Sequence, residues 1–219
     1  MPEPIDTNSY IYIHFIYSGN NIKIVSRLCR CSTTASTLAC QAKDVGSNPL
    51  THPISCKEIF MEIERKFLIK EKPPIIPTEH FHTKQAYISV NPEVRVREKF
   101  GVDEWSKCGD PYKITVKGNG TLAREEIETS IDEEFYNKIL KFIGHNPISK
   151  DYYIYHYNGY IVEVSDVDFG AFMYAEVEFD SIEEANNFVW PWPEILISEE
   201  TENPEFKMKN YWIKSRGIK

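Results

Sequence analysis

The stretch MEIERKFLI, residues 61–69, decides how the chain is read. Met61, Ile63, Phe67 and Ile69 suit a strand, yet Glu62, Glu64 and Lys66 alternate with them. In a β-strand successive side chains point to opposite faces, so two carboxylates and an ammonium share one face. Seven further segments repeat the alternation: KQAYISV, EVRVREKF, YKITVKG, REEIETS, KDYYIYHY, YIVEVSD and FMYAEVEF. Turn signals separate most of them, among them GNGTLA, DFGA and the hairpin pair Asn158–Gly159. A Pro-broken stretch, KEKPPIIPTEHFH, reads as the loop after the first strand. Helices are predicted from about Ile131 to Ile143, capped by Ser130 or Asp132, through SIEEANNF after Asp180, and through EFKMKNYWIK. Eight antiparallel strands with helices beside them predict an α+β fold, mainly antiparallel β. The expected form is an eight-stranded closed β-barrel with the helices packed outside.

The whole chain has 219 residues, of which 42% are hydrophobic and 26% charged, which fits a globular domain with an extension. Its formal charge of −8 argues against broad nucleic-acid binding, unless positive charge is gathered in one cavity. Charge divides unevenly. Residues 1–60 hold five Lys/Arg and four Asp/Glu, whereas residues 61–219 hold twenty and twenty-nine, a net −9. Cys29, Cys31, Cys40 and Cys56 precede the first of these strands and only Cys108 follows it, which is no disulfide framework. A zinc site made of the first four fits no usual ligand spacing. The apolar run YIYIHFIY is too short to span a bilayer and lacks a basic start, so no membrane segment and a cytoplasmic location are expected. Residues 1–60 read either as a poorly ordered extension or as sequence upstream of a true start at Met61.

Taking period two along every strand, one face collects Glu62, Glu64, Lys66, Gln85, Tyr87, Arg95, Arg97, Lys99, Lys113, Thr115, Lys117, Arg124, Glu126, Glu128, Lys150, Glu163, Glu176 and Glu178. The other face is apolar, with Ile63, Phe67, Ala86, Val94, Val96, Ile114, Val162, Val164 and Val177 among its residues. One such strand proves little, because a solvent-facing strand looks the same. Glu-x-Glu three times, Arg-x-Arg and Lys-x-Thr-x-Lys say more. If these faces point inward, they line a polar tunnel, and the apolar faces pack against helices. Buried rows of acids and bases need ligands to neutralise them. Carboxylates suit a hard divalent cation and Lys/Arg suit phosphate oxygens, a pattern that describes a site for a metal-bound polyphosphate.

Residues 62–66, Glu-Ile-Glu-Arg-Lys, resemble the Glu-x-Glu-x-Lys signature of the CYTH superfamily, the triphosphate tunnel metalloenzymes. QAYI, VRVR, YKITVKG, REEIE, Lys150, AEVEF and NPEFKMKN follow in the matching order, so the resemblance runs from Met61 to about Trp212 and points to the compact bacterial-type members. It implies a tunnel domain over 61–219 that acts on triphosphates with Mg²⁺ or Mn²⁺. It assigns metal binding to Glu62, Glu64, Glu163, Glu176 and Glu178. Phosphate binding falls to Lys66, Arg95, Arg97, Lys113, Lys117, Arg124 and Lys150. Glu126 and Glu128 become tunnel acids that orient water or a second ion, so Lys66, Glu126, Glu128 and Lys150 form the catalytic set. Two positions depart. The family's Lys-x-Arg is Lys150-Asp151-Tyr152 here, and its Glu-x-Asp is Glu163-Val164-Ser165.

The leading expectation is hydrolysis of inorganic tripolyphosphate. A nucleoside or thiamine triphosphatase, an adenylyl cyclase and a non-catalytic polyphosphate-binding module remain as alternatives. The expected partner is a triphosphate-containing small molecule, with no nucleic acid and no membrane; homodimerisation is left open. If residues 1–60 contribute nothing to the domain, the fragment 61–219 folds and keeps the activity of the full chain. An insoluble or inactive fragment beside an active full-length protein would overturn that expectation.

Overall fold

The computed structural model describes the backbone of residues 9–18, 21–30 and 59–218, and the side chains of residues 61–218. The chain divides into two units, Met1–Lys57 and Glu58–Lys219. In the first, β1 (Ser9–Ser18) and β2 (Asn21–Arg30) pair antiparallel, from Ser9 opposite Arg30 to Ser18 opposite Asn21. The sequence reading named no element there. The side chains of Cys29, Cys31, Cys40 and Cys56 lie outside the described residues.

In the second unit eight strands close on themselves. They are β3 (Ile59–Ile69), β4 (Glu79–Val90), β5 (Glu93–Gly101), β6 (Tyr112–Lys117), β7 (Ala123–Ser130), β8 (Ile148–Tyr157), β9 (Tyr160–Val167) and β10 (Phe172–Glu178). Hydrogen bonding runs β10-β9-β8-β4-β5-β6-β7-β3, and β3 returns to β10, so the sheet is a closed antiparallel barrel. Asn158 and Gly159, at φ 49° and 87°, make the two-residue turn between β8 and β9. Positive φ at both positions is what such a turn requires. β4 starts at Glu79, so residues 79–82 are strand and not the expected loop. They pair with β8 from Glu79 and with β5 from Phe81. A short strand that was not anticipated, β11 (Leu196–Glu199), adds to the edge of β3 left free beyond Ile63.

Three helices lie outside, and among the described residues no helix is long and apolar enough to cross a membrane. α1 (Glu133–Ile143) is capped by Asp132, whose carboxylate accepts from Phe135 N at 2.7 Å. α2 (Ile182–Asn187) is capped by Ser181, and α3 (Met208–Arg216) follows a 3-10 turn at Pro204–Phe206. α1 packs on β4, β5 and β6, and α2 packs on β3. The core therefore sits outside the barrel wall. Phe67, Val162, Val164, Ala175 and Val177 point outward from β3, β9 and β10 into Phe188, Trp190, Trp192 and Ile195. Phe67 and Trp190 meet with ring centroids 4.7 Å apart.

Arg65 ties this layer together. Its guanidinium donates to both oxygens of Glu199 on β11, at 2.8 and 2.6 Å, and to the backbone oxygens of Ala185 and Phe188 at the end of α2. Charge-assisted and bidentate, this contact is of the strong class. Phe67 is 1% exposed, so Phe67→Ala leaves a cavity under Trp190 and is expected to cost about 3–5 kcal/mol. Urea unfolding checks it: the midpoint falls while the slope stays constant.

Candidate functional site

With the apolar faces turned out, the charged faces enclose a cavity of about 290 Å³. Eight carboxylates line it: Glu62, Glu64, Glu93, Glu126, Glu128, Glu163, Glu176 and Glu178. Eight cationic groups join them: Lys66, Arg95, Arg97, Lys99, Lys117, Arg124, Lys150 and Lys207. Every site residue expected from the sequence is among these except Lys113. That lysine stands outside the lining, about a third exposed, with Nζ 2.5 Å from Glu128. Glu93 and Lys207 were missed. Glu93 has the parity of Arg95 and was legible from it, whereas Lys207 arrives on the segment before α3, which no strand period reveals.

The signs are mixed in places, with Lys66 opposite Glu176 and Arg124 opposite Glu62, but acids crowd part of the wall. Across β3, β10 and β9, Glu64 stands directly opposite Glu178, and Glu176 directly opposite Glu163. Like charges placed opposite one another destabilise a sheet, so this arrangement does not serve the barrel itself. β5 carries Arg95, Arg97 and Lys99 on its inward face. Arg95 Nε and Arg97 Nε are buried without a hydrogen-bond partner. A buried donor left unpaired costs free energy, and a phosphate oxygen is the acceptor that suits it.

Between the walls, ion pairs hold some of the charges. Lys117 Nζ lies 2.8 and 2.9 Å from the Glu62 oxygens, and Arg124 Nε lies 2.7 Å from Glu62 and its Nη2 2.8 Å from Glu64. Burial alone would raise Glu62, but Lys117 and Arg124 outweigh it and hold the carboxyl well below the usual range. Lys66 sits 2.7 Å from Glu176. Burial opposes charge on both, yet their attraction draws Glu176 down to about 2 and raises Lys66 above the ordinary lysine range. Other groups have no such compensation. Burial, with Arg95, Lys66 and Arg97 nearby, pushes Lys150 down to about 7 against the pull of Glu176. Burial also raises Glu126, although Lys117 Nζ is 2.6 Å away.

A divalent cation can be tested against these residues. Among the described residues no three acidic, imidazole or thiol groups form a ready-made ligand shell, because several acids are turned onto bases. The donor chemistry fits nonetheless. Burial of its inner side and the carboxylates of Glu163, Glu62, Glu64 and Glu176 push Glu178 up to about 7, although the residue is exposed at one end. Glu163 is raised by burial and by Glu176. Carboxylates crowded until they retain protons are oxygen donors of the kind a hard cation takes.

The two departures meet in space: Tyr152 and Ser165 are cross-strand partners on β8 and β9. Tyr152 also closes the lining beside Phe81, and Lys99 Nζ lies 4.0 and 4.6 Å from their two ring centroids.

No family model matches the chain, and no curated protein matches it. Solved structures do. The inorganic triphosphatase NE1496 is 25% identical, the match covering 69% of this chain and 94% of that one with a TM-score of 0.50. A second structure, described as the hypothetical protein NE1496, matches at the same identity and TM-score, with 97% of its chain covered. The PH1819 protein from Pyrococcus horikoshii is more distant, 18% identical, with 57% of this chain and 82% of that one covered at a TM-score of 0.42. The likeness to NE1496 agrees with the CYTH-type tunnel that the sequence motifs imply.

The titrations give this site a pH signature. Between pH 4.5 and about 7 folded Glu178 keeps a proton that the unfolded chain has lost, so stability falls as pH rises through that window. Between about 7 and 10.5 folded Lys150 has shed a proton that the unfolded chain still holds, so stability climbs again. Melting temperatures of the ligand-free protein in chelator should therefore dip near neutral pH, and Glu178→Gln should flatten the acid limb. A steady rise from pH 4.5 to 7 would contradict the assignment.

Proposed function

We propose that the protein hydrolyses the terminal phosphoanhydride of a linear triphosphate, inorganic tripolyphosphate first among them, inside the tunnel and with a divalent cation. The observation that carries this reading is the placement of charge: Glu64 stands opposite Glu178 and Glu163 opposite Glu176, while Arg95 Nε and Arg97 Nε are buried without acceptors. A cation with a polyphosphate would satisfy both. The likeness to a protein described as an inorganic triphosphatase supports the same reading.

Arg95, Arg97, Lys117 and Arg124 hold the phosphate chain, and Lys66 keeps Glu176 ionised. Glu62, Glu64, Glu163, Glu176 and Glu178 would hold Mg²⁺ or Mn²⁺. When bound, such an ion neutralises phosphate charge and polarises the phosphorus–oxygen bonds. Water attacks the terminal phosphorus in line, and the bond from that phosphorus to the bridging oxygen breaks. Glu126, whose proton affinity burial raises, takes the proton that the water gives up. Lys150, pushed down to about 7, meets the departing diphosphate with an N–H and gives up a proton readily. Little covalent chemistry falls to the protein, so positioning and electrostatics do most of the catalysis.

Phosphate release from tripolyphosphate, ATP and thiamine triphosphate, with Mg²⁺, Mn²⁺ or chelator, tests the reading. Glu62→Gln and Glu64→Gln are expected to abolish metal-dependent turnover while the fold survives, because hard cations prefer carboxylates to amides. Arg97→Ala should weaken tripolyphosphate binding by about 1.5–3 kcal/mol, which calorimetry reads as roughly one to two decades in Kd. A wild-type protein that binds tripolyphosphate no better than single phosphate would return the charged faces to solvent.

A further inference from the structure

The two departures from the family pattern belong to one row of side chains. Tyr152 on β8 pairs with Ser165 on β9, and Ser165 pairs with Tyr174 on β10. A small residue thus stands between two phenols across three neighbouring strands, and all three line the tunnel. They are buried, at 8%, 1% and 1% exposure. The phenol oxygen of Tyr174 accepts a hydrogen bond from Lys150 Nζ at 2.6 Å. The Ser165 hydroxyl lies within hydrogen-bonding reach of the same phenol, and the Tyr152 phenol within reach of Glu163. Lys150 Nζ and Lys66 Nζ lie 5.2 and 5.4 Å from the centroid of the Tyr174 ring.

An Arg and an Asp at 152 and 165 would place a full charge of each sign beside Lys150. The Tyr/Ser row places none, so no carboxylate at 165 competes with the phenol for the amine. A lysine has a flexible four-carbon stem, and its ammonium is held in one place only if something accepts from it. Here a phenol does so, with Ser165 as its cross-strand neighbour.

We propose that Tyr174 is a positioning residue for the hydrolytic step, acting through Lys150. Its phenol oxygen takes one N–H and leaves the remaining N–H groups of Lys150 directed at the phosphate chain. Ser165 holds the phenol, which gives the departure at that position a use. The proposal rests on the triphosphatase reading above.

Tyr174→Phe keeps the ring beside both lysines and removes only the oxygen. With tripolyphosphate and Mg²⁺, kcat is expected to fall about tenfold while KM stays within about twofold. Ser165→Ala should shift kcat the same way by a smaller factor, about threefold. Both are then combined with Lys150→Met. If Tyr174 acts through Lys150, Tyr174→Phe lowers kcat no further in the Lys150→Met background. The same fractional loss in both backgrounds would mean a merely structural tyrosine and would overturn the proposal. Should Tyr174→Phe fail to fold, Ser165→Ala takes its place in the same cycle: no further loss beside Lys150→Met supports the proposal, and an equal loss overturns it. Wild-type turnover untouched by Tyr174→Phe overturns this inference alone. Absence of wild-type turnover on any triphosphate overturns it together with the function it rests on.

Discussion

Four carboxylates face one another in pairs across hydrogen-bonded strands, Glu64 against Glu178 and Glu163 against Glu176, and the rest of the structure follows from having to tolerate this. A strand lined with charge on its inner face must find its core on its outer face. Hence the layer of Phe67, Val162, Val164 and Val177 against Phe188, Trp190 and Trp192, and hence helices outside a barrel whose centre is lined with charge. Stability comes from the outer packing, at roughly 1.5–3 kcal/mol for each large apolar side chain fully buried.

β3 is where the two demands meet residue by residue. Glu62, Glu64 and Lys66 face in, while Arg65 and Phe67 face out. The strand pairs with β7 along its first half, with β10 along its second, and with β11 on the edge that β7 leaves. Arg65, bonded at once to Glu199 and to the end of α2, fixes the backbone on either side of which Glu64 and Lys66 project. A strand held in this way fixes the backbone that carries these charges, while the side chains of Glu62, Glu64 and Glu176 are paired with bases.

Much of this was legible in the sequence because period two survives burial. The eight strands, the turn at Asn158–Gly159 and the cap at Asp132 are local signals, and the inward face follows from parity alone. What parity misses is tertiary. Residues 79–82 follow a run of prolines, so they read as loop, although pairing with β8 from Glu79 and with β5 from Phe81 makes them strand. β11 is four residues long, too short to show a period. Lys207 reaches the cavity from outside the sheet. Tyr174 lies on the inward face beside Glu176, yet as an aromatic among apolar neighbours it reads as core. Its contact with Lys150 depends on β8 and β10 lying on either side of β9, which no single strand declares.

The balance of charge has a kinetic consequence. The tunnel holds equal numbers of acids and bases, so the net −9 of residues 61–219 resides wholly on the outer surface. For the triphosphatase proposed above, a free polyphosphate diffusing toward the mouth would meet a field of its own sign, and encounter would be slowed before any contact forms. Dissolved ions shorten the reach of that field to about a Debye length, near 10 Å at 0.1 M salt. Capture by such an enzyme would be weighted toward polyphosphate that has already shed part of its charge to cations in solution. The outer surface would then select the form of the ligand, and the tunnel its shape.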